Sequence, residues 1–155
     1  RLLNEVYPPL RRNEYRIEYN VRNFDLEEAR RMIGERPDLL SLEEMYKVAG
    51  PYEKGSVGYE RAMETAARCY PDRPAVLNDR ALAALGRGDA AAAIGMLEAC
   101  GLSEKHPSLL NTLGVAYARS GEVRKAEEAF RRAAGQGSDE ARHNLEQLRL
   151  VIDQL

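Results

Sequence analysis

The chain has 155 residues, 44% apolar and 31% charged, with 23 Lys and Arg against 25 Asp and Glu for a net charge of −2. That length suffices for one well-cored domain, and no apolar run approaches the ~18–20 residues of a membrane span. The Arg pairs Arg11–Arg12, Arg30–Arg31 and Arg131–Arg132 are interleaved with Glu, a mixed surface rather than the one-sided basic field that nucleic acid requires.

The first predicted element is a strand. Tyr15, Ile17, Tyr19 and Val21 alternate with Arg16, Glu18 and Asn20, a period of two that reads as a half-buried β-strand. Everything after it reads as helix, so it lacks a sheet. Residues 2–7 could pair with it across Pro8-Pro9, but a lone hairpin is marginal in water. The chain starts at Arg1 rather than Met, which reads as an excerpt or a processed product, and the missing signal peptide then carries no information on compartment. Residues 1–23 are therefore expected to be the β-strand remnant of a truncated upstream α/β domain, and residues 24–155 a helical domain. The bare strand edge predicts that residues 14–22 pair antiparallel with a second copy across a two-fold, or else fold back on residues 2–7.

Asp25 and Glu28 predict a capped helix through about Gly34, with Leu26, Ala29 and Ile33 inward and an end before Pro37. Ser41 with Glu44 forms a second capping box, followed by Leu42, Met45, Ala49 and Tyr52 at helical spacing. After a turn at Lys54-Gly55-Ser56, a further helix carries Tyr59, Ala62, Ala66 and Tyr70 and stops at Pro71.

The main signal is a repeat. Residues 77–100, LNDRALAALGRGDAAAAIGMLEAC, align with residues 110–133, LNTLGVAYARSGEVRKAEEAFRRA, at a constant offset of 33. Leu77, Asn78, Ala81, Ala84, Gly88, Ala93 and Leu97 match Leu110, Asn111, Gly114, Tyr117, Gly121, Ala126 and Phe130. Self-similarity at this period indicates stacked helical hairpins. Each unit is a helix, a tight turn at Gly88-Asp89 or Gly121-Glu122, and a second helix. The glycine supplies the turn conformation and the acid favours the next helix N-terminus. One hairpin cannot bury its apolar stripe alone, so units must stack. A last helix carries Ala141, Leu145, Leu148, Ile152 and Leu155 on one side and Arg142, Glu146, Arg149 and Asp153 on the other, as a cap.

Leu113-Gly114, Tyr117, Gly121, Ala126, Phe130 and Ala133 resemble the tetratricopeptide repeat (TPR) family, over about residues 40–155. The unit from Pro74 departs from the pattern at Arg80 and Ala84, and the unit from Ser41 is degenerate. The resemblance implies an all-α fold, a right-handed helical solenoid of about three hairpins plus a capping helix, whose first helices line a concave groove. It implies a protein or peptide partner. The groove candidates are Lys47, Asn78, Asn111, Arg119, His143 and Gln147. Asn78 and Asn111, one repeat apart, either hydrogen-bond the backbone of an extended peptide or bond within and between hairpins. The Lys and Arg set of the family's carboxylate-clamp subgroup is not filled, so no chaperone C-terminus is inferred.

Other motifs reduce to structure. Arg87-Gly88-Asp89 is the interhelix turn rather than an adhesion motif. His106 and His143 lack a metal or triad set, and residues 135–138, GQGS, lack the strand and Lys of a phosphate loop. Cys69 and Cys100 read as small buried hydrophobes. No cofactor and no metal are expected, and catalysis has no sequence-level support beyond a weak hydrolase reading of His143. Arg11, Arg12 and Glu14, leading into the strand, resemble the closing strand of an OmpA-like envelope domain. That resemblance implies a periplasmic, cell-envelope setting with the repeats as a docking arm. A spacer whose groove binds nothing is one alternative. A cytoplasmic adaptor, which two unpaired cysteines favour, is another.

Overall fold

The computed structural model describes residues 23–101 and 103–153. The expected strand at 15–21, its pairing over 14–22, residues 2–7 and Leu155 lie outside the described residues. Within them the chain is all helical, with no strand. In chain order the helices are α1 (Leu26–Glu35), α2 (Leu42–Ala49), α3 (Val57–Cys69), α4 (Pro74–Gly86), α5 (Ala90–Ala99), α6 (Pro107–Arg119), α7 (Val123–Gly135) and α8 (Asp139–Ile152). Single 3-10 turns precede α2 and α6.

The starts follow from local chemistry. Asp25 and Ser41 each accept from the amide three residues on, while Glu28 and Glu44 reach back to the cap amides, completing two capping boxes. Pro74 and Pro107 open α4 and α6 at a position where no amide donor is needed. The two matched turns are alike. Gly88 and Gly121 have φ of 82° and 84°. The Gly88 amide donates to Leu85 O at 3.0 Å and the Asp89 amide to Ala84 O at 2.9 Å. Gly121 to Ala118 O (3.2 Å) and Glu122 to Tyr117 O (2.9 Å) repeat the pattern. These are Schellman closures, which need a left-handed residue after the helix. Asp89 then caps α5 through Ala92 N, so the Arg-Gly-Asp triplet ends one helix and starts another.

Consecutive helices pack on one another, and α6 also lies against α4 and α8. Two cores result. The larger runs from Leu77 to Ala141 through Leu97, Leu109, Leu110, Leu113, Tyr117 and Phe130. The smaller joins Ala29, Leu40, Met45, Val48 and Ala66. Gly114 is where α6 and α7 approach closely: a Cβ there would stand 2.6 Å from the Phe130 ring.

Some expectations need correction. Leu26, expected inward, is 40% exposed, because the first turn of α1 is only partly covered. Tyr52 lies beyond α2, since Pro51 has no amide to continue the helix ladder. Ile152 is exposed with Leu150 and Val151, so the inward stripe of α8 stops at Leu148. Cys69 and Cys100 are half-buried and free of a disulfide. The Cys100 thiol donates to Leu97 O at 3.2 Å.

Candidate functional site

The surface shared by α4, α6 and α8 carries two parallel rows. Asn78, Asn111 and Asn144 recur every 33 residues, and Leu82, Val115 and Leu148 do the same. The rows stand four residues apart in each helix, so both lie on one face. Leu82 is 46% exposed, and Val115 and Leu148 are half-buried.

The asparagines are held from behind. Thr112 Oγ1, on a buried residue, donates to Asn78 Oδ1 at 2.6 Å. Asn144 Nδ2 donates to Asn111 Oδ1 at 2.9 Å. Each bond links two of the three helices. Bonding between units was one of the two readings the sequence left open, and it engages the amide oxygens. The Nδ2 groups of Asn78 and Asn111 make no hydrogen bond among the described residues, and both residues line one cleft.

Two clefts flank the rows. One, of about 470 Å³, is lined by Asn78, Leu82, Ser108, Asn111 and Glu140. The other, of about 320 Å³, is lined by Val115, Arg119, Phe130, Asn144, Gln147 and Leu148. Asn111 faces the first and Asn144 the second, so their hydrogen bond stands at the division. Arg119 donates from Nη1 to Leu85 O at 2.7 Å, a cation at the C-terminal end of α4, where the helix dipole favours it. Arg119 also lines the second cleft, with Gln147.

Lys47 and His143 lie apart from both clefts. Lys47 is exposed on α2 and pairs with Glu43 at 2.8 Å, which holds its ammonium above the ordinary lysine range, mainly through their hydrogen bond. His143 is exposed on α8. The clefts thus bring together Asn78 with Asn111, and Arg119 with Gln147. Sequence reasoning missed Asn144 and Thr112. Asn144 was within reach, because extending the 33-residue offset into the last helix finds it. Thr112 had no signal, since its bond partner lies a helix away.

Two tyrosines serve as struts. Burial and then the hydrogen bond to Glu98 push the Tyr117 phenol up to about 12. Lys125 sits 5.1 Å from the centre of its ring. Burial and then Asp79 raise Tyr46 likewise, its hydroxyl donating to Asp79 Oδ2 at 2.6 Å. Both phenols stay protonated and bridge helices. Among the described residues no cluster of His, Cys, Asp and Glu could hold a metal ion. No described helix is long and apolar enough to cross a membrane. No protein-family model and no curated protein matches the chain.

Proposed function

We propose that the chain is a non-catalytic protein-interaction scaffold, a right-handed TPR-like solenoid of about three hairpins with α8 as cap. An extended partner segment lies across the face of α4, α6 and α8. The observation that carries this reading is the pair of rows: asparagine amides and apolar side chains repeat together on one face, beside two open clefts. An extended chain offers backbone carbonyls and side chains in the same alternation. The family resemblance adds support, because Gly114, Tyr117, Ala126, Phe130 and Ala133 are all buried where α6 meets α7.

The setting we favour is the cell envelope, on the resemblance around Arg11, Arg12 and Glu14. A cytoplasmic adaptor with the same groove is the alternative, and a groove-less spacer arm is the competing role. Replacing Asn78 and Asn111 together by Ala decides between groove and spacer. The partner captured in a pull-down should be held about 1–3 kcal/mol more weakly by the folded protein, measured below a thermal midpoint that falls because the buried Thr112 hydroxyl loses its partner. Equal capture by both proteins would favour the spacer.

A further inference from the structure

We propose that a further cleft, in α1–α3 and apart from the rows of asparagines, binds a small organic carboxylate, an acid group carried on an apolar ring or chain. The site goes beyond the scaffold reading and does not depend on it.

The cleft has a volume of about 250 Å³ and lies between α1, α2, α3 and the turn joining the last two. Its floor is apolar. Val48 belongs to the smaller core, Ile33 packs against that core, and Ala62 is buried beside them. Tyr52 forms a wall. Its ring lies on Gly58, where a Cβ would stand 2.6 Å away. Gly34 leaves another side open, since a Cβ there would meet nothing within 4 Å. An apolar cavity of ~150 Å³ holds one benzene ring, so this cleft has room for a somewhat larger apolar body with its acid group.

The charge on the cleft is of one sign. Arg30 and Arg61 line it, and among the described residues no carboxylate does. The cleft between α3 and α4 is different, because Glu60, Glu64 and Asp79 share it with Arg80 and Arg87. Arg30 gives one donor to Glu27 at 2.6 Å. The side chain of exposed Arg61 makes no hydrogen bond or ion pair among the described residues. The Thr65 hydroxyl spends its proton on Arg61 O at 2.9 Å, which leaves donation to a ligand to the two guanidinium groups and the Tyr52 phenol. A guanidinium presents its donors as a planar fork that matches a carboxylate.

These features select the ligand class. Glu27 offsets one of the two arginine charges, so one positive charge remains, which a monoanion balances and a phosphate dianion exceeds. A bare inorganic anion would leave the apolar floor wet, and a neutral ligand would leave the Arg61 fork unused.

The test follows the backbone amide signals of the intact isotope-labelled chain in a magnetic-resonance titration. The probes are naphthoate, its uncharged counterpart naphthylmethanol, naphthyl phosphate and acetate. Naphthoate should shift the amides of Gly34, Val48, Gly58 and Ala62 with a dissociation constant of about 1 mM, the order expected for a ligand of its size. Naphthylmethanol and acetate should bind at least about tenfold more weakly, and naphthyl phosphate no more tightly than naphthoate. Arg61→Gln should weaken naphthoate roughly fivefold and leave naphthylmethanol unaffected, with the helical circular dichroism unchanged. Equal affinity for naphthoate and naphthylmethanol would overturn the proposal. So would an Arg61→Gln protein that binds naphthoate as the parent does, shifts centred outside α1–α3, or no shifts at roughly ten times the expected constant. Tighter binding of naphthyl phosphate would overturn the assignment to a carboxylate. None of these outcomes bears on Asn78 or Asn111, so the groove reading is tested separately.

Discussion

Helices α4–α8 and helices α1–α3 are made of similar residues but are held together differently. In α4–α8 the 33-residue spacing gives each inner helix two sets of neighbours, and one apolar core runs through all five. In α1–α3 the offset persists at the turn, where Gly55 and the start of the next helix at Val57 stand 33 residues before Gly88 and Ala90. Pro51, however, follows a short α2, and among the described residues the core is a separate small cluster around Ala29, Leu40, Met45, Val48 and Ala66. Polar bonds supply what packing does not. The buried Glu44 accepts from the Phe24 amide at 2.6 Å and from the Ser41 amide at 2.8 Å. The Tyr70 hydroxyl donates to Leu40 O at 2.6 Å. The Tyr46–Asp79 bond links the two regions. The lesson is that a shared register does not by itself give a shared core: the side chains at the matched positions decide whether a helix is fixed by apolar contact or by specific polar tethers.

The largest expected effect separates the two cores. Leu97 and Met45 are both fully buried, and either change to Ala should cost about 2–5 kcal/mol. In urea unfolding followed by residue-resolved exchange, Leu97→Ala should weaken α4–α8 and Met45→Ala only α1–α3. A single transition moved equally by both would dissolve the distinction.

A matched pair of glycines sharpens it. A Cβ on Gly114 or on Gly58 would stand 2.6 Å from an aromatic ring, that of Phe130 or Tyr52. Phe130 is 3% exposed and cannot retreat, whereas Tyr52 is 43% exposed and can swing out. Gly114→Ala should therefore destabilise by about 1–3 kcal/mol despite the gain in helix propensity. Gly58→Ala should fall within about 0.5 kcal/mol of the parent. Equal thermal shifts would mean that the two approaches are equally rigid.

Acid should act on α1–α3 first. Burial alone would raise the Glu44 carboxyl, but the bonds from Ser41 and Phe24 outweigh it and hold it below its ordinary value. A lowered folded-state value contributes stability above the unfolded value, ~4.3. That contribution disappears as pH falls through the folded value. Glu44→Gln should cost about 1–2 kcal/mol at neutral pH and flatten the acid limb of the α1–α3 transition. An unchanged acid limb would remove Glu44 from the account. The smallest effect is Tyr46→Phe, about 0.5–1 kcal/mol, seen as earlier opening of α1–α3 with α4–α8 unmoved.

Much of this was readable from local signals. Both capping boxes, the Gly88 and Gly121 turns and the close approach at Gly114 follow from residue types at fixed short spacing. The repeat offset placed Asn78 and Asn111 on one face. What was hidden depends on contacts between distant segments. Glu44 looked like a capping partner, and nothing local says that it also holds the Phe24 amide twenty residues away. Arg80, a departure from the family pattern, is exposed on a cleft between α3 and α4, where a large apolar side chain has no core to enter. The division into two cores has no sequence mark beyond the irregular turn at Pro51.

Hydrogen–deuterium exchange of the free chain, read helix by helix, tests the central claim most directly. If the continuous apolar core makes α4–α8 one body, the backbone amides of α4, α5, α6 and α7 should exchange together at the slowest rate, with α1–α3 opening earlier. Slowest exchange in α1–α3, or separate rates for the α4–α5 and α6–α7 pairs, would contradict it.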